Sequence, residues 1–121
     1  MLIAHTREGG QTEQLLTDHS RNVAALCAEA CAGVGLKKLG YLTGLLHDLG
    51  KASSSVQERI RGETDKRFNH SSAGMRWIMD KVHGLPASAH LAAQMAALSI
   101  GCHHGGRCDV VSPLGKELWI D

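Results

Sequence analysis

The sequence is poor in aromatic residues, in net charge and in long apolar runs. Aromatic residues make up 3% of its 121 residues while Ala and Leu dominate the apolar ones, which favours a core of helix packed on helix. The longest apolar run is well short of a membrane span. A net charge of +1 gives no strong electrostatic footprint for nucleic acid, so any binding to a polyanion would have to be local. The length predicts a single domain covering residues 1–121, too short for two cores.

Four cysteines occur without a recognisable secretory signal: Cys27, Cys31, Cys102 and Cys108. We therefore expect reduced thiols in a cytoplasmic protein with no membrane partner. Cys27 and Cys31 are four residues apart and could supply half of a zinc site, but no second pair completes it. Buried core cysteines are the favoured interpretation.

A leucine-rich run, residues 45–51, ends in His47, Asp48, Gly50 and Lys51. An imidazole and a carboxylate that emerge side by side from an apolar segment are costly to bury unless a cation holds them. A divalent metal is the commonest such partner. The alternative is that Asp48 is a solvated or capping residue.

Four further histidines lie at or near predicted helices, where they could point at the same centre. A lone His19 on a helix face would more often be a satisfied core residue, so the prediction depends on the whole set. Five imidazoles and one carboxylate suit Mn, Fe, Ni, Co or Zn better than Mg, and six ligands exceed a tetrahedral zinc site. Two ions bridged by Asp48 would use all six. The predicted ligands are His19, His47, Asp48, His70, His103 and His104.

Hydrophobic periodicity and breaker residues predict a compact all-α bundle of about five to six helices. Trp77 is expected to face inward in the fourth helix, and Leu91, Met95 and Leu98 lie on one side of the fifth. Gly50 is expected to end the second helix. The predicted helices span residues 12–34, 36–49, 54–61, 70–82 and 87–100, with a short turn or helix near 116–120.

A short basic cluster lies downstream of Lys51. Arg59 and Arg61 are its candidates for binding a substrate strand, but neighbouring acidic residues dilute the charge. A solvated surface is at least as good an interpretation. The basic residues are Arg59, Arg61, Lys66 and Arg67, and the acidic ones are Glu58, Glu63 and Asp65.

Taken together, these segments resemble the HD superfamily of metal-dependent phosphohydrolases, and most closely the HD nuclease of type I CRISPR interference. The resemblance is carried by HDLGK at 47–51, NHSSAG at 69–74, HHGG at 103–106 and His19 in TDHSRNVA. The opening MLIAHTREGG and the VQERIRG stretch look similar too. In that family the nuclease is a separate subunit or is fused before a helicase.

The resemblance implies an all-helical HD domain with one or two divalent metal ions that cleaves single-stranded DNA in antiviral defence, with RNA left open as a substrate. Its implied partners are the CRISPR helicase and the surveillance complex that exposes the strand. Asp48 and Lys51 would be catalytic, with Lys51 facing the substrate phosphate. The implied ligands are His19, His47 and Asp48 for one metal, and Asp48, His70, His103 and His104 for the other.

The family pattern takes a further aspartate for the first metal from a helix downstream of the double histidine. Here 17 residues follow His104, and the later acids are Asp109, Glu117 and Asp121. No predicted helix presents an equivalent aspartate. We therefore expect a domain shortened at its C-terminus or completed by another chain.

Two other functions fit the same residues. One is an HD phosphohydrolase acting on nucleotides or other small phosphate esters, which would need a closed pocket rather than a groove. The other is a metal-binding module without turnover that docks on a helicase subunit. Bound metal without hydrolysis would identify the latter.

Overall fold

A computed structural model describes residues 1–7, 12–66 and 70–104 as five α-helices and a small two-stranded sheet. The all-α prediction is confirmed, with the sheet as a minor addition. The strands are β1 (Ile3–Arg7) and β2 (Thr12–Leu15), and the helices are α1 (Leu16–Ala32), α2 (Lys37–Leu46), α3 (Ser54–Ile60), α4 (Ser72–Lys81) and α5 (Ala87–Gly101). A short 3-10 turn, Leu49–Ala52, connects α2 to α3.

The hydrophobic core lies between α2, α4 and α5. Small side chains of α5 allow this helix to pack closely, with Ala97 and Ile100 fully buried. Half-buried leucines of α2 border the cluster. Its buried members are Leu46, Met75, Ile78, Val82, Ala93, Ala96, Ala97 and Ile100.

The first two helices approach each other through small residues. Ala24 and Ala28 form the buried face of α1, and Gly40 and Gly44 lie opposite them on α2. A Cβ at Gly44 would lie 2.7 Å from the Cα of Ala24, closer than non-bonded carbons pack. This contact fixes the end of α2, which carries the predicted metal ligands.

The prediction that α2 continues to Leu49 is wrong, because the helix ends at Leu46 and the chain enters the 3-10 turn. Gly50 lies inside that turn rather than at a helix end. A Cβ there would overlap the carbonyl group of His70, so Gly50 allows the turn to pack against the segment before α4.

Large apolar side chains of α4 and α5 are exposed, including Trp77, which is expected to face inward. Trp77 is 41% exposed, and Lys81 Nζ lies over its ring, 5.3 Å from the ring centroid. Leu91 and Met95 of α5 are also exposed, because the alanine face of that helix packs against the core instead. Periodicity alone assigned the larger residues inward, whereas close helix packing selects the smaller ones.

The prediction of a helix from residue 12 is also wrong at its start. Residues 12–15 pair antiparallel with β1, and α1 begins at Leu16. Buried Gln57 of α3 ties this sheet to the helices. Its Oε1 accepts from Ile3 N at 2.9 Å, and its Nε2 donates to Ile3 O at 2.8 Å and to Lys51 O at 2.6 Å. One amide side chain thereby satisfies three buried backbone groups.

The described cysteines are in two covalent states. Cys27 and Cys31 are free thiols on α1, as expected, but both are half-buried rather than buried in the core. Cys102 is disulfide-bonded, so the expectation of a reduced thiol is wrong for this residue.

Within the described ranges, none of the helices is long and apolar enough to cross a membrane. Residues outside the described ranges include Arg67, Asn69, Cys108, Asp109 and the short 116–120 segment with Asp121.

Candidate metal centre

The six predicted ligands meet in one cluster at the ends of the helices. His19 projects from the first turn of α1, while His47 and Asp48 directly follow α2. His70 lies just before α4, not in its first turn as expected. The remaining two, His103 and His104, directly follow α5. Helix ends place these side chains where the backbone turns, so segments distant in sequence can face one point.

Asp48 is at the centre of the cluster and is only 3% exposed. Its Oδ2 lies 3.3 Å from His19 Nε2 and 3.1 Å from His47 Nε2. Its Oδ1 lies 3.4 Å from His70 Nε2 and 3.2 Å from His103 Nε2. The two carboxylate oxygens therefore face two different sets of imidazoles, which is the arrangement a bridging carboxylate requires.

The ligand atoms form two groups in which all lie within 4.8 Å of one another. His104 joins the second group through His70, because the Nε2 atoms of the two rings are 2.7 Å apart. In the first group, the Nε2 atoms of His19 and His47 are 3.2 Å apart. The two groups are His19, His47 and Asp48, and Asp48, His70, His103 and His104.

Backbone carbonyls determine which ring nitrogen faces the centre for two of the histidines. His47 Nδ1 is 2.6 Å from Gly44 O, and His103 Nδ1 is 2.5 Å from Ile100 O. A carbonyl oxygen can only accept, so each Nδ1 must carry the proton and donate it. In the neutral form of each ring, the Nε2 lone pair is then directed at the carboxylate of Asp48, whereas a protonated ring donates to it. Orientation by a backbone carbonyl is typical of metal-binding histidines.

This geometry fits a divalent cation. Lone pairs of His47 and His103 that face a carboxylate oxygen at 3.1–3.2 Å repel it unless a proton or a cation lies between them. Ligands that share one metal at about 2.0–2.2 Å are themselves roughly 3–3.5 Å apart, close to the separations found here. The imidazole-rich set favours a transition metal over Mg.

Burial alone would raise the pKa of Asp48. Hydrogen bonds from His47 and Lys51, together with their positive charge, outweigh burial and hold the pKa of this carboxyl well below its usual range. Asp48 is therefore ionised at every pH at which the protein would operate. A buried, ionised carboxylate surrounded by imidazoles is available as a metal ligand without losing a proton.

The imidazoles differ in how readily they hold a proton. Burial lowers the pKa of His19, His70 and His104, although the charge of Asp48 opposes it. We call these three the low-pKa histidines. Burial also acts to lower the pKa of His47, but its hydrogen bonds with Asp48 and Gly44 raise it overall. The low-pKa histidines are thus neutral near pH 7, which is the form in which an imidazole can bind a metal.

Lys51 closes one side of the cluster. Its Nζ lies 3.0 Å from Asp48 Oδ2 and donates to Ala4 O at 3.1 Å. An ammonium group has three donors, so among the described contacts one N–H of Lys51 is left for another acceptor. The β-sheet and Gln57 hold Ala4 and the backbone of Lys51 in place, which fixes this amino group beside the carboxylate.

The two arginines predicted to bind substrate lie in different places. Arg59 lines a cavity together with Lys51 and His70. Arg61 instead donates from Nη2 to Met1 O at 2.8 Å. Among the described residues, only Arg59 of the pair borders the cluster.

Sequence reasoning missed His5 and Gln57. The ring of His5 packs edge-on against His19, with 5.5 Å between centroids. β1 reads IAHTR, which does not alternate apolar and polar residues, so no period-two pattern marks His5 as a strand residue. No local signal marks Gln57, because its partner Ile3 is 54 residues away. The other two histidines, His83 and His90, lie outside the cluster.

Comparison with known proteins gives one family match. A family model described as HD domain matches residues 16–109, which is more than half of the chain. The matched region contains all six clustered residues. No solved structure matches the chain.

Proposed function

This chain belongs to the HD domain family, whose members are metal-dependent phosphohydrolases, and we propose that it cleaves single-stranded DNA as a nuclease of CRISPR interference. The observation that carries the metal-dependent hydrolysis is the position of Asp48, with one carboxylate oxygen toward each of two imidazole groups. The choice of a DNA strand is supported by the resemblance in order and spacing of the HDLGK, NHSSAG and HHGG segments.

The cluster residues would hold one or two divalent ions, with Asp48 shared between the two groups. When bound, such ions lower the pKa of water and neutralise charge on a phosphate. The protein needs no nucleophilic side chain for this chemistry.

The remaining steps depend on the side chains of the cluster. Fixed carbonyl contacts hold the rings of His47 and His103, so no reorientation is needed when a substrate arrives. Lys51 can direct its third N–H at a phosphate oxygen and stabilise the charge that develops there. By analogy with other electrostatic donors, this contributes about 3 kcal/mol to transition-state stabilisation.

An open cluster supports a strand rather than a small ester. The imidazole side chains of His70 and His103 are about one-fifth exposed, and a cavity adjoins His70. A strand must pass through its site, whereas small ligands are usually enclosed. The proposed partners are a CRISPR helicase, which would supply the strand, and the surveillance complex that exposes it.

The test is cleavage by Mn²⁺-loaded protein of single-stranded DNA, duplex DNA and nucleoside triphosphates in parallel. We expect product from the single strand, none from Asp48→Ala, and wild-type activity from the control His83→Ala, which removes an exposed histidine outside the cluster. Product from nucleotides only would reject the nuclease and favour the small-ester phosphohydrolase. Bound metal without product from any substrate would favour the module without turnover.

A further inference from the structure

A cavity of about 470 Å³ lies directly beside the cluster, between β1 and α3. Two of its lining residues, His70 and Lys51, also contact Asp48. A phosphate held at the cluster would therefore have the rest of its molecule at the mouth of this cavity. Its volume is within the usual range for a ligand site.

The lining of the cavity combines an apolar wall with two basic residues. Ala4 of β1 and Val56 and Ile60 of α3 form the wall. Arg59, in the last turn of α3, is the second cation besides Lys51. An apolar surface combined with two cations in one cavity suits a nucleic acid strand, in which a nucleoside separates consecutive phosphates.

Arg59 makes only weak contacts within the protein. Its Nη1 is 3.6 Å from Asp65 Oδ1 and 3.4 Å from Thr64 O, and the Asp65 side chain is fully exposed. Exposed ion pairs at such distances contribute little to stability. A phosphate can replace these contacts at low cost, and a guanidinium group binds it through two parallel hydrogen bonds.

A second cavity, of about 550 Å³, lies on the other side of His5 and has the opposite charge balance. Its lining includes Glu13 and Asp18 but only one arginine, Arg21. The first cavity has Lys51 and Arg59 with no acidic residue in its lining. A polyanion is therefore attracted to the first cavity and repelled by the second.

We infer that the cavity between β1 and α3 binds the nucleoside next to the scissile phosphate, and that Arg59 binds the following phosphate of the strand. This inference rests on the proposed function and narrows its substrate class to chains with at least two consecutive phosphodiesters. A single phosphate ester would leave Arg59 without its ligand.

The first experiment measures binding without cleavage. A fluorescently labelled ten-residue thymidine oligonucleotide is titrated with metal-depleted protein in a chelator, and dissociation constants are read from anisotropy at several salt concentrations. Arg59→Ala should weaken binding roughly tenfold, the value of one charged hydrogen bond near the lower end of its range. It should also make the salt slope shallower by about 0.7, as expected for one lost phosphate contact to a single strand. The control is Arg76→Ala, an exposed arginine of α4 that lines neither cavity.

The second experiment measures selectivity in Mn²⁺-loaded protein. Arg59→Ala should raise the KM for the oligonucleotide. This fold increase should be about ten times the fold increase in KM for bis(4-nitrophenyl) phosphate, which has one phosphate. Equal effects on the two substrates would overturn the inference, as would equal binding by Arg59→Ala and Arg76→Ala or no binding by the wild type. If the wild type binds but cuts neither substrate, the proposed function fails while the anisotropy result still decides the role of Arg59.

Discussion

Replacing Gly50 with alanine should weaken metal binding although residue 50 is not itself a ligand. The new methyl group would overlap the carbonyl oxygen of His70 and lie 2.7 Å from its carbonyl carbon and from its Cα. Non-bonded carbon atoms pack at about 3.5–4.0 Å, so the two segments must separate by roughly 1 Å. The atoms that obstruct the methyl group belong to the backbone, so a side-chain rotation cannot relieve the overlap.

That separation moves His70 away from Asp48. In the wild type, His70 Nε2 lies 3.4 Å from Asp48 Oδ1. Mutations that misplace the groups supporting a metal ligand typically reduce metal affinity about 10- to 100-fold. Overpacking should also destabilise the fold by about 1–3 kcal/mol. Mn²⁺ affinity by isothermal titration calorimetry and stability by urea denaturation measure the two effects separately.

The matched control is Gly33→Ala. Gly33 follows α1 with a φ of −66°, and a Cβ there meets nothing within 4 Å, so alanine fits without strain. We expect wild-type metal affinity and near wild-type stability from this variant. If Gly50→Ala retains the metal affinity of Gly33→Ala, the close contact between the 3-10 turn and His70 does not position the ligand, and the reasoning is refuted.

Three further outcomes follow from the same contacts. Gln57→Leu should lower the free energy of unfolding by about 3 kcal/mol, because it leaves buried backbone groups of β1 unpaired; a change below about 0.5 kcal/mol in urea denaturation would contradict this role. The low-pKa histidines bind fewer protons in the folded than in the unfolded state just below pH 6.5, so stability of the metal-free protein should rise as the pH increases toward 6.5, with His47 opposing the trend. Urea midpoints that fall over this interval would contradict the assignment. Chelation of the metal should lower the melting temperature of the wild type but not of Asp48→Asn, as measured by differential scanning calorimetry.

The cluster was largely predictable from the sequence because histidine and aspartate in an apolar context are costly unless they share a partner. The leucines before His47 place it and Asp48 next to the core, and the glycines after His103 and His104 indicate a helix end. Geometry within the cluster was not predictable. The carbonyl of Gly44 orients His47 through a local turn whose form depends on where α2 ends.

The errors about which side chains are buried share one physical cause. Helix periodicity assigns large apolar side chains to the core, yet α5 buries Ala93 and Ala97 and leaves Leu91 exposed. Packing distance decides this, and distance depends on partners remote in sequence. The same limit applies to Gln57, which would be called a surface residue in any helical pattern although three backbone contacts bury it.

The central claim is that Asp48 and five imidazoles hold divalent metal together. Elemental analysis after incubation with Mn²⁺ and removal of free ion by gel filtration tests it most directly. The account predicts at least one ion per chain in the wild type and none in Asp48→Asn, with both proteins equally helical by circular dichroism. A wild type that retains no metal, or a variant that retains as much as the wild type, would contradict it.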